Sequence, residues 1–195
     1  MSNAFPEKLF VALRDLQSWL SHERIDYATV GGIAVSLVAQ PRFTNDIDAV
    51  VWVESERWRP LLESASRHGF VPRIADPIEF ATRSRVLLLR HTDTGIGIDL
   101  SFAALPFERE MIDEAIPVDI HDVKLRIARP EDLIVMKAVA NRAKDLADIE
   151  SILTFHPKLD LAHVRRWVKE FADALESPEL AADLERILKA SSGGK

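Results

Sequence analysis

The spacing of hydrophobic residues changes along the first third of the chain, and each spacing predicts a helix or a strand. Between Pro6 and His22 the apolar side chains recur at helical spacing, which predicts an amphipathic helix. Tyr27–Val30 then reads as a short buried strand. The pair Gly31-Gly32 breaks that strand, and the compact apolar run Ile33–Ala39 suits a short helix. The predicted local order is strand, glycine turn, helix.

A second strand is predicted over Asp46–Val53, which alternates and is rich in valine. The alternation places Asp46 and Asp48 on one face of the strand, because side chains two residues apart point the same way. A helix is predicted from Ser55 to His68, capped near Ser55 and stopped by Gly69.

Two further strands are predicted over Arg85–His91 and Gly97–Phe102. The turn residues between them, Thr92-Asp93-Thr94-Gly95, favour a hairpin. Asp99 lies in the second of these strands. Ile116–Ile120 and Val123–Ile127 are predicted to form another short pair.

From Arg129 onward the pattern is helical only. Arg129-Pro130-Glu131-Asp132 places proline and two acids in a first helical turn. The fold class is therefore α/β (α+β), with a mixed sheet flanked by helices. We expect an α/β core with an N-terminal helix over residues 1–128, a helical region packed on it over 129–190, and a flexible tail over 191–195. The C-terminal helices are predicted at about 130–141, 144–155, 160–175 and 178–190.

Composition narrows the functional classes. Of 195 residues, 47% are hydrophobic and 29% charged, which is typical of a globular chain. The absence of cysteine excludes disulfides, thiolate zinc sites and a cysteine nucleophile, so we expect a cytoplasmic protein. No apolar run approaches the roughly 20 residues that span a bilayer, so no membrane partner is expected. The net charge of −6 argues against a general electrostatic grip on nucleic acid, although a local patch can still bind RNA.

Three carboxylates and a glycine pair are the candidate chemistry. Asp46 and Asp48 share a strand face and can together bind a hard cation such as Mg²⁺, which prefers oxygen ligands. Asp99, a lone acid in a hydrophobic strand, would complete a two-metal site if its strand lay beside theirs. Gly31 and Gly32 open a helix and would let backbone N–H groups approach a triphosphate.

Each of these features alone has a structural explanation. A Gly-Gly pair between strand and helix is more often plain turn geometry. An Asp-x-Asp at the start of a strand is commonly a solvated edge or a capping pair. The occurrence of all three in this order favours function, because three independent coincidences would otherwise be needed.

Lys137 is a charged exception in a helix that is apolar on nearly every side. Such a lysine must reach outward or meet an anion. In the next helix Asp145 falls inside the apolar arc and Asp148 at its edge. One interpretation is a buried Lys137–Asp145 or Arg142–Asp148 bridge that orients the helices; the other directs Lys137 to a triphosphate.

The histidines show no ligand spacing and are expected to be surface or capping residues. The positions are His22, His68, His91, His121, His156 and His163.

The combined pattern resembles the nucleotidyltransferases of the DNA polymerase beta superfamily and, within it, the AbiEii-like toxins. The superfamily cues are Val30-Gly31-Gly32, Asp46-Ile47-Asp48 and the later Asp99. The narrower cues are Arg42-Phe43-Thr44-Asn45-Asp46-Ile47-Asp48, which resembles Arg-x-Thr-x-Asp-x-Asp, and the runs Arg129-Pro130-Glu131-Asp132-Leu133-Ile134-Val135-Met136-Lys137 and Arg142-Ala143-Lys144-Asp145-Leu146-Ala147-Asp148-Ile149.

This resemblance implies a minimal nucleotidyltransferase fold and transfer of a nucleotide from an NTP to a hydroxyl on RNA, such as tRNA, or on protein, with Mg²⁺ or Mn²⁺ as cofactor. For some members it also implies a cognate antitoxin. Gly32 stands where many members carry serine. The alternatives are a non-catalytic binding module of the same fold and a metal-dependent glycosyltransferase. The implied roles are catalytic and metal-binding for Asp46, Asp48 and Asp99, nucleotide-binding for Gly31, Gly32, Arg42, Thr44 and Lys137, and structural for Arg142, Asp145 and Asp148.

Overall fold

The structure is a computed structural model that describes residues 6–41 and 44–192. Arg42, predicted to bind nucleotide, and residues 193–195 of the predicted tail lie outside the described residues. The helices are α1 (Glu7–His22), α2 (Gly31–Val38), α3 (Trp58–Ala65), α4 (Pro77–Ser84), α5 (Pro106–Asp113), α6 (Pro130–Ala140), α7 (Ala143–Phe155), α8 (Leu161–Ala174) and α9 (Glu179–Ser192). The strands are β1 (Tyr27–Val30), β2 (Asp46–Val51), β3 (Phe70–Pro72), β4 (Val86–His91), β5 (Gly97–Phe102), β6 (Ile116–Ile120) and β7 (Val123–Ile127).

The chain divides into two compact units. The first comprises Met1–Ile33 and Arg42–Ala128, and the second Ala34–Pro41 and Arg129–Lys195. Among the described residues, every strand belongs to the first unit, and helices α6 to α9 belong to the second.

A seven-stranded mixed sheet forms the first unit, in the order β3-β4-β5-β2-β1-β7-β6. β2 pairs with β5 in parallel, as does β1 with β7, and the remaining neighbours are antiparallel. Both predicted hairpins, β4–β5 and β6–β7, are present. The predicted mixed α/β fold is confirmed.

One face of the β4–β5 hairpin is buried and the opposite face is partly open. Leu87 and Leu89 of β4 are fully buried, as are Ile98 and Leu100 of β5. The residues between them are half-buried or exposed. This alternation follows from the two-residue period of a strand. It leaves Asp99 on the open face, because Asp99 lies between Ile98 and Leu100.

Helix α1 contributes the aromatic centre of the first core. The Trp19 ring is fully buried and stacks on Phe70 of β3, with ring centroids 5.3 Å apart. The Trp19 indole N–H donates to the Ser64 hydroxyl at 2.8 Å, so its polar group is satisfied inside the core.

Helix α6 is the centre of the second unit and contacts α7, α8 and α9. Leu133, Ile134 and Val135 are all fully buried. A helix that is apolar on nearly every side needs several neighbours to remove those sides from water.

Three elements were not predicted, and one cap was predicted wrongly. Strand β3 is only three residues long, while α4 and α5 are eight residues each. These lengths carry too few periods for a pattern to be recognised. Ser55 does not cap a helix with its side chain; it begins a short 3₁₀ turn, Ser55–Arg57, that precedes α3. Within the described ranges, no helix combines the length and hydrophobicity needed to cross a bilayer.

Candidate active site

The three predicted carboxylates lie on adjacent strands of the first unit. β2 and β5 run in parallel with Asp48 opposite Asp99 and Asp46 opposite Gly97. Asp46 is exposed, and Asp48 and Asp99 are half-buried. The strand pairing therefore places Asp99 beside the two acids of β2, although β5 lies far from β2 in the chain.

Gly31 explains how the Asp48 carboxylate fits against the start of α2. Val30 pairs with Asp48, so the next residue begins the helix directly beside that side chain. Gly31 has a φ of +63°, and a Cβ there would lie 2.0 Å from Asp48 Oδ2. Only glycine suits both this left-handed conformation and the close approach. The helix begins at Gly31, earlier than the predicted Ile33.

Gly97 of β5 is the second glycine whose missing side chain makes room for charged groups. A Cβ at Gly97 would lie 2.3 Å from Asp46 Oδ1 and 2.9 Å from Arg73 Nη1. A carboxylate and a guanidinium therefore occupy the volume that any larger residue would fill.

Arg73 is the residue of this site that the sequence analysis missed. It follows β3, and its backbone N–H donates to the Leu88 carbonyl of β4 at 3.0 Å. Its guanidinium forms an ion pair with Asp99. A lone arginine after a three-residue strand belongs to no recognisable motif, and only the sheet order β3-β4-β5 places it beside Asp99.

Burial raises the pKa of Asp99, because a half-buried carboxylate loses hydration of its charged form. The guanidinium of Arg73 opposes this increase, and the negative charge of Asp46 adds to it. The pKa nevertheless remains above its ordinary value. Burial and the neighbouring acid therefore outweigh the effect of the ion pair with Arg73 on this pKa.

The donor set suits a hard divalent cation, although it is not closed around one. Among the described residues, no group of three or more His, Cys, Asp or Glu side chains is arranged to hold a metal ion. Asp46 and Asp48 present carboxylate oxygens from one strand face, and these oxygens lie in the volumes that side chains at Gly97 and Gly31 would otherwise fill. The residues that would hold a cation are these two and Asp99.

Thr44 lies just before β2. Its hydroxyl donates to the backbone carbonyl of Asp46 at 3.3 Å. This bond supports the start of the strand that carries the two acids.

Lys137 belongs to a second charged cluster, inside the helical unit. Its ammonium nitrogen lies 2.9 Å from Asp145 Oδ1 and 2.9 Å from Asp148 Oδ2, and the residue is only 7% exposed. Arg142 Nε lies 2.5 Å from Asp145 Oδ2. The Lys137–Asp145 bridge therefore forms, with Arg142 also bound to Asp145. A nucleotide-binding role for Lys137 stays a prediction.

Asp145 is fully buried but remains ionised. Burial alone would raise its pKa. Hydrogen bonds from Arg142 and Lys137 outweigh that effect and lower the pKa to about 2. The backbone N–H of Arg142 also donates to Asp145 Oδ2 at 3.3 Å, which ties the cluster to the start of α7.

The prediction that the histidines are surface or capping residues is wrong for His91, which is buried. His91 is 1% exposed, with Nε2 2.9 Å from Asp15 Oδ2 and Nδ1 2.9 Å from Thr94 Oγ1. His163 Nε2 lies 2.7 Å from Asp132 Oδ1. The carboxylate partners lie far away in the sequence, so ligand spacing could not reveal these contacts.

The mixed sheet, the Asp-x-Asp strand beside a third acid and the glycine-started helix together define the nucleotidyltransferase class. The chain belongs to the family described as "Nucleotidyltransferase of unknown function (DUF6036)", whose model matches residues 7–186. This confirms the predicted nucleotidyltransferase enzyme class. The resemblance to the AbiEii-like toxins stays a prediction. No curated protein is similar enough in sequence to match the chain.

Solved structures show the same fold at low sequence identity. An antigenic nucleotidyltransferase-like protein from Paracoccidioides brasiliensis has a TM-score of 0.55 at 19% identity, over 93% of this chain and 94% of that one. The antibiotic-resistance factor ANT(2'')-Ia has a TM-score of 0.56 at 18% identity, over 93% and 98%. The lincosamide antibiotic adenylyltransferase LnuA, bound to lincomycin, has a TM-score of 0.53 at 15% identity, over 77% and 98%.

Proposed function

We propose that this nucleotidyltransferase uses Mg²⁺ or Mn²⁺ to transfer a nucleotide from an NTP to a hydroxyl acceptor. The observation that carries the proposal is the register of β2 and β5, which sets Asp99 opposite Asp48 on the open face of the sheet. In an in-line displacement at phosphorus, one oxygen attacks and another leaves. Carboxylates on two adjacent strands can hold a cation near each of these oxygens.

The residues of the first unit have distinct proposed roles. Asp46 and Asp48 would hold the nucleotide-associated cation, and Asp99 the cation on the acceptor side. The bound ions would neutralise the phosphates and acidify the acceptor hydroxyl. Gly31 and Gly32 would offer backbone N–H groups to the triphosphate at the start of α2.

Further nucleotide contacts are proposed from the family resemblance. Arg42 and Thr44 precede the Asp-x-Asp strand and would contact the phosphates. Lys137 would do the same if it left Asp145 and Asp148, which hold it at 2.9 Å each. Arg142, Asp145 and Asp148 are proposed as structural residues. In the chemical step, the acceptor oxygen would bond to the α-phosphorus as the bond to pyrophosphate breaks, and the hydroxyl proton would pass to water.

The proposed acceptor is RNA, such as tRNA, or a protein hydroxyl, in a cytoplasmic setting. From the AbiEii-like resemblance we further propose that the chain is the toxin of a toxin–antitoxin pair. The net charge of −6 counts against broad RNA binding, so an RNA acceptor would be a specific one. A small hydroxylated molecule is a third acceptor class, because one structure with this fold is ANT(2'')-Ia in complex with adenylyl-2''-tobramycin.

Labelled NTPs test the proposal directly. The chain is incubated with each of the four NTPs, Mg²⁺ and total RNA or protein, and incorporated label is counted. We expect Asp99→Asn to reduce incorporation by about 10³-fold while folding and NTP binding remain, because only the acceptor-side charge is removed. Asp93→Asn, on the exposed turn of the same hairpin, is the matched control and should incorporate normally. Equal incorporation by Asp99→Asn and wild type would exclude the three-carboxylate mechanism.

The alternative function is a non-catalytic binding module acting through protein partners. The pairing of Asp99 with Arg73 favours it, because this acid already has a counter-charge. No incorporation by the wild type with any NTP or acceptor, together with no metal binding, would support this alternative.

A further inference from the structure

The Arg73 guanidinium lies beside Asp99 and Gly97 of β5. It is ion-paired with Asp99 of β5. A Cβ built on Gly97 would lie 2.9 Å from Arg73 Nη1 and 2.3 Å from Asp46 Oδ1. Arg73 and Asp46 therefore approach Gly97 from the same side. Arg73 therefore reaches the space shared by the first acid of β2 and the acid of β5.

Arg73 can respond to a change of charge in that space. Its side chain is 29% exposed and that of Asp99 is 36% exposed, so water reaches both partners. An ion pair with this exposure contributes little net stability and can be exchanged. Its backbone is held separately by the hydrogen bond to Leu88, so the side chain can leave without loss of the strand register.

We propose that Arg73 is a positioning residue that occupies the acceptor-side cation place in the metal-free protein and is displaced when a divalent ion binds Asp99. This inference rests on the proposed function. A guanidinium and a divalent cation compete for the same carboxylate oxygens, because both compensate its negative charge. The acceptor-side cation consequently binds more weakly than it would if Arg73 did not compete for Asp99.

Mn²⁺ binding, measured by calorimetry and electron paramagnetic resonance on the full chain without nucleotide, tests the competition. The variants are Arg73→Gln, Arg73→Lys and Asp99→Asn. We expect Arg73→Gln to bind the second Mn²⁺ about tenfold more tightly than wild type, because the variant removes both the competing counter-ion of Asp99 and the repulsion between the guanidinium and the divalent ion. Arg73→Lys keeps the charge but not the forked geometry, so its affinity should lie between those of wild type and Arg73→Gln.

Arg90→Gln is the matched control. Arg90 is an exposed arginine of β4 that lies opposite Gly97, so its removal changes the local field by the same charge. Its effect on Mn²⁺ affinity should be no more than about threefold, because exposed charges are screened. Equal gains in Arg73→Gln and Arg90→Gln would overturn the proposal, since the gain would then be a general field effect.

The double variant Arg73→Gln with Asp99→Asn separates this inference from the proposed function. The gain in affinity should vanish in it, because the freed carboxylate is no longer charged. Two Mn²⁺ ions bound equally by wild type and Arg73→Gln would overturn the competition and leave the proposed function standing. No Mn²⁺ bound by any variant, with folding verified by circular dichroism, would overturn both.

Discussion

Replacement of Gly31 by alanine perturbs the junction of β1 and α2, where the backbone lies against the Asp48 side chain. The new Cβ would lie 2.0 Å from Asp48 Oδ2 and 2.8 Å from Asp48 Cβ. Neither distance is compatible with non-bonded atoms, so the Asp48 carboxylate must turn away and the backbone beside its Cβ must shift. Gly31 also has a φ of +63°, which a residue with a Cβ adopts only at a cost.

The expected loss in the free energy of unfolding has two parts. The left-handed backbone costs about 1–2 kcal/mol for a residue with a Cβ. Turning the Asp48 side chain away from the new Cβ costs about 1 kcal/mol more. Gly95→Ala isolates the first part, because Gly95 has a φ of +75° but no heavy atom within 4 Å of its hypothetical Cβ.

Urea unfolding and Mn²⁺ binding of both variants separate these effects. Gly31→Ala should lose about 2–3 kcal/mol of stability and Gly95→Ala about 1–2 kcal/mol. Mn²⁺ affinity should fall by about 10- to 100-fold in Gly31→Ala, because a displaced ligand binds poorly, and stay unchanged in Gly95→Ala. If the two variants lose equal stability and both bind Mn²⁺ as wild type does, the account of Gly31 as a cradle for Asp48 is wrong.

Three further outcomes follow from the two charged clusters. Lys137→Met removes one partner from each of two buried carboxylates and should cost about 3–5 kcal/mol in urea unfolding. The exposed control Lys169→Met should leave the free energy of unfolding nearly unchanged. Weaker NTP binding at unchanged stability would instead assign Lys137 to the triphosphate. The pKa of Asp145 is lowered from 3.8 to about 2, so its contribution of about 2 kcal/mol is present above pH 4 and lost as the pH falls from about 4 to about 2. Asp145→Asn should flatten the unfolding free energy over that interval, and an acid loss as steep as that of wild type would contradict it. Calorimetry should detect NTP binding with Mg²⁺ and none in EDTA, because phosphates and carboxylates repel each other without a cation between them; equal affinity in both would refute the metal requirement.

The sequence alone was sufficient for the elements with several periods of pattern. The alternation in β2, β4 and β5 and the turn residues after His91 predicted strands and a hairpin, because burial of one sheet face selects every second residue. The apolar surround of α6 likewise predicted its burial and singled out Lys137 as a residue needing an anion. Each of these features depends on the spacing of residues within one element, and this spacing can be read directly from the sequence.

The carboxylate site was predicted from residue types in order along the chain, but its geometry was not. Asp46 and Asp48 share a face by their spacing. Asp99 becomes their neighbour only because β5 pairs in parallel with β2, and Arg73 becomes the partner of Asp99 only because β3 and β4 add to the β5 edge. Strand order depends on hydrogen bonds between distant segments, which no local period records.

Tertiary structure also decided the partners of the buried charged and polar groups. Arg142 joins Lys137 on Asp145, while Asp15 and Thr94 hold a buried His91 that its spacing suggested was exposed. A polar side chain can be buried only where a partner from another element meets it. Residue types and their spacing therefore predict which positions carry charge on a strand face or inside a helix, whereas the packing of distant elements selects which of those charges meet.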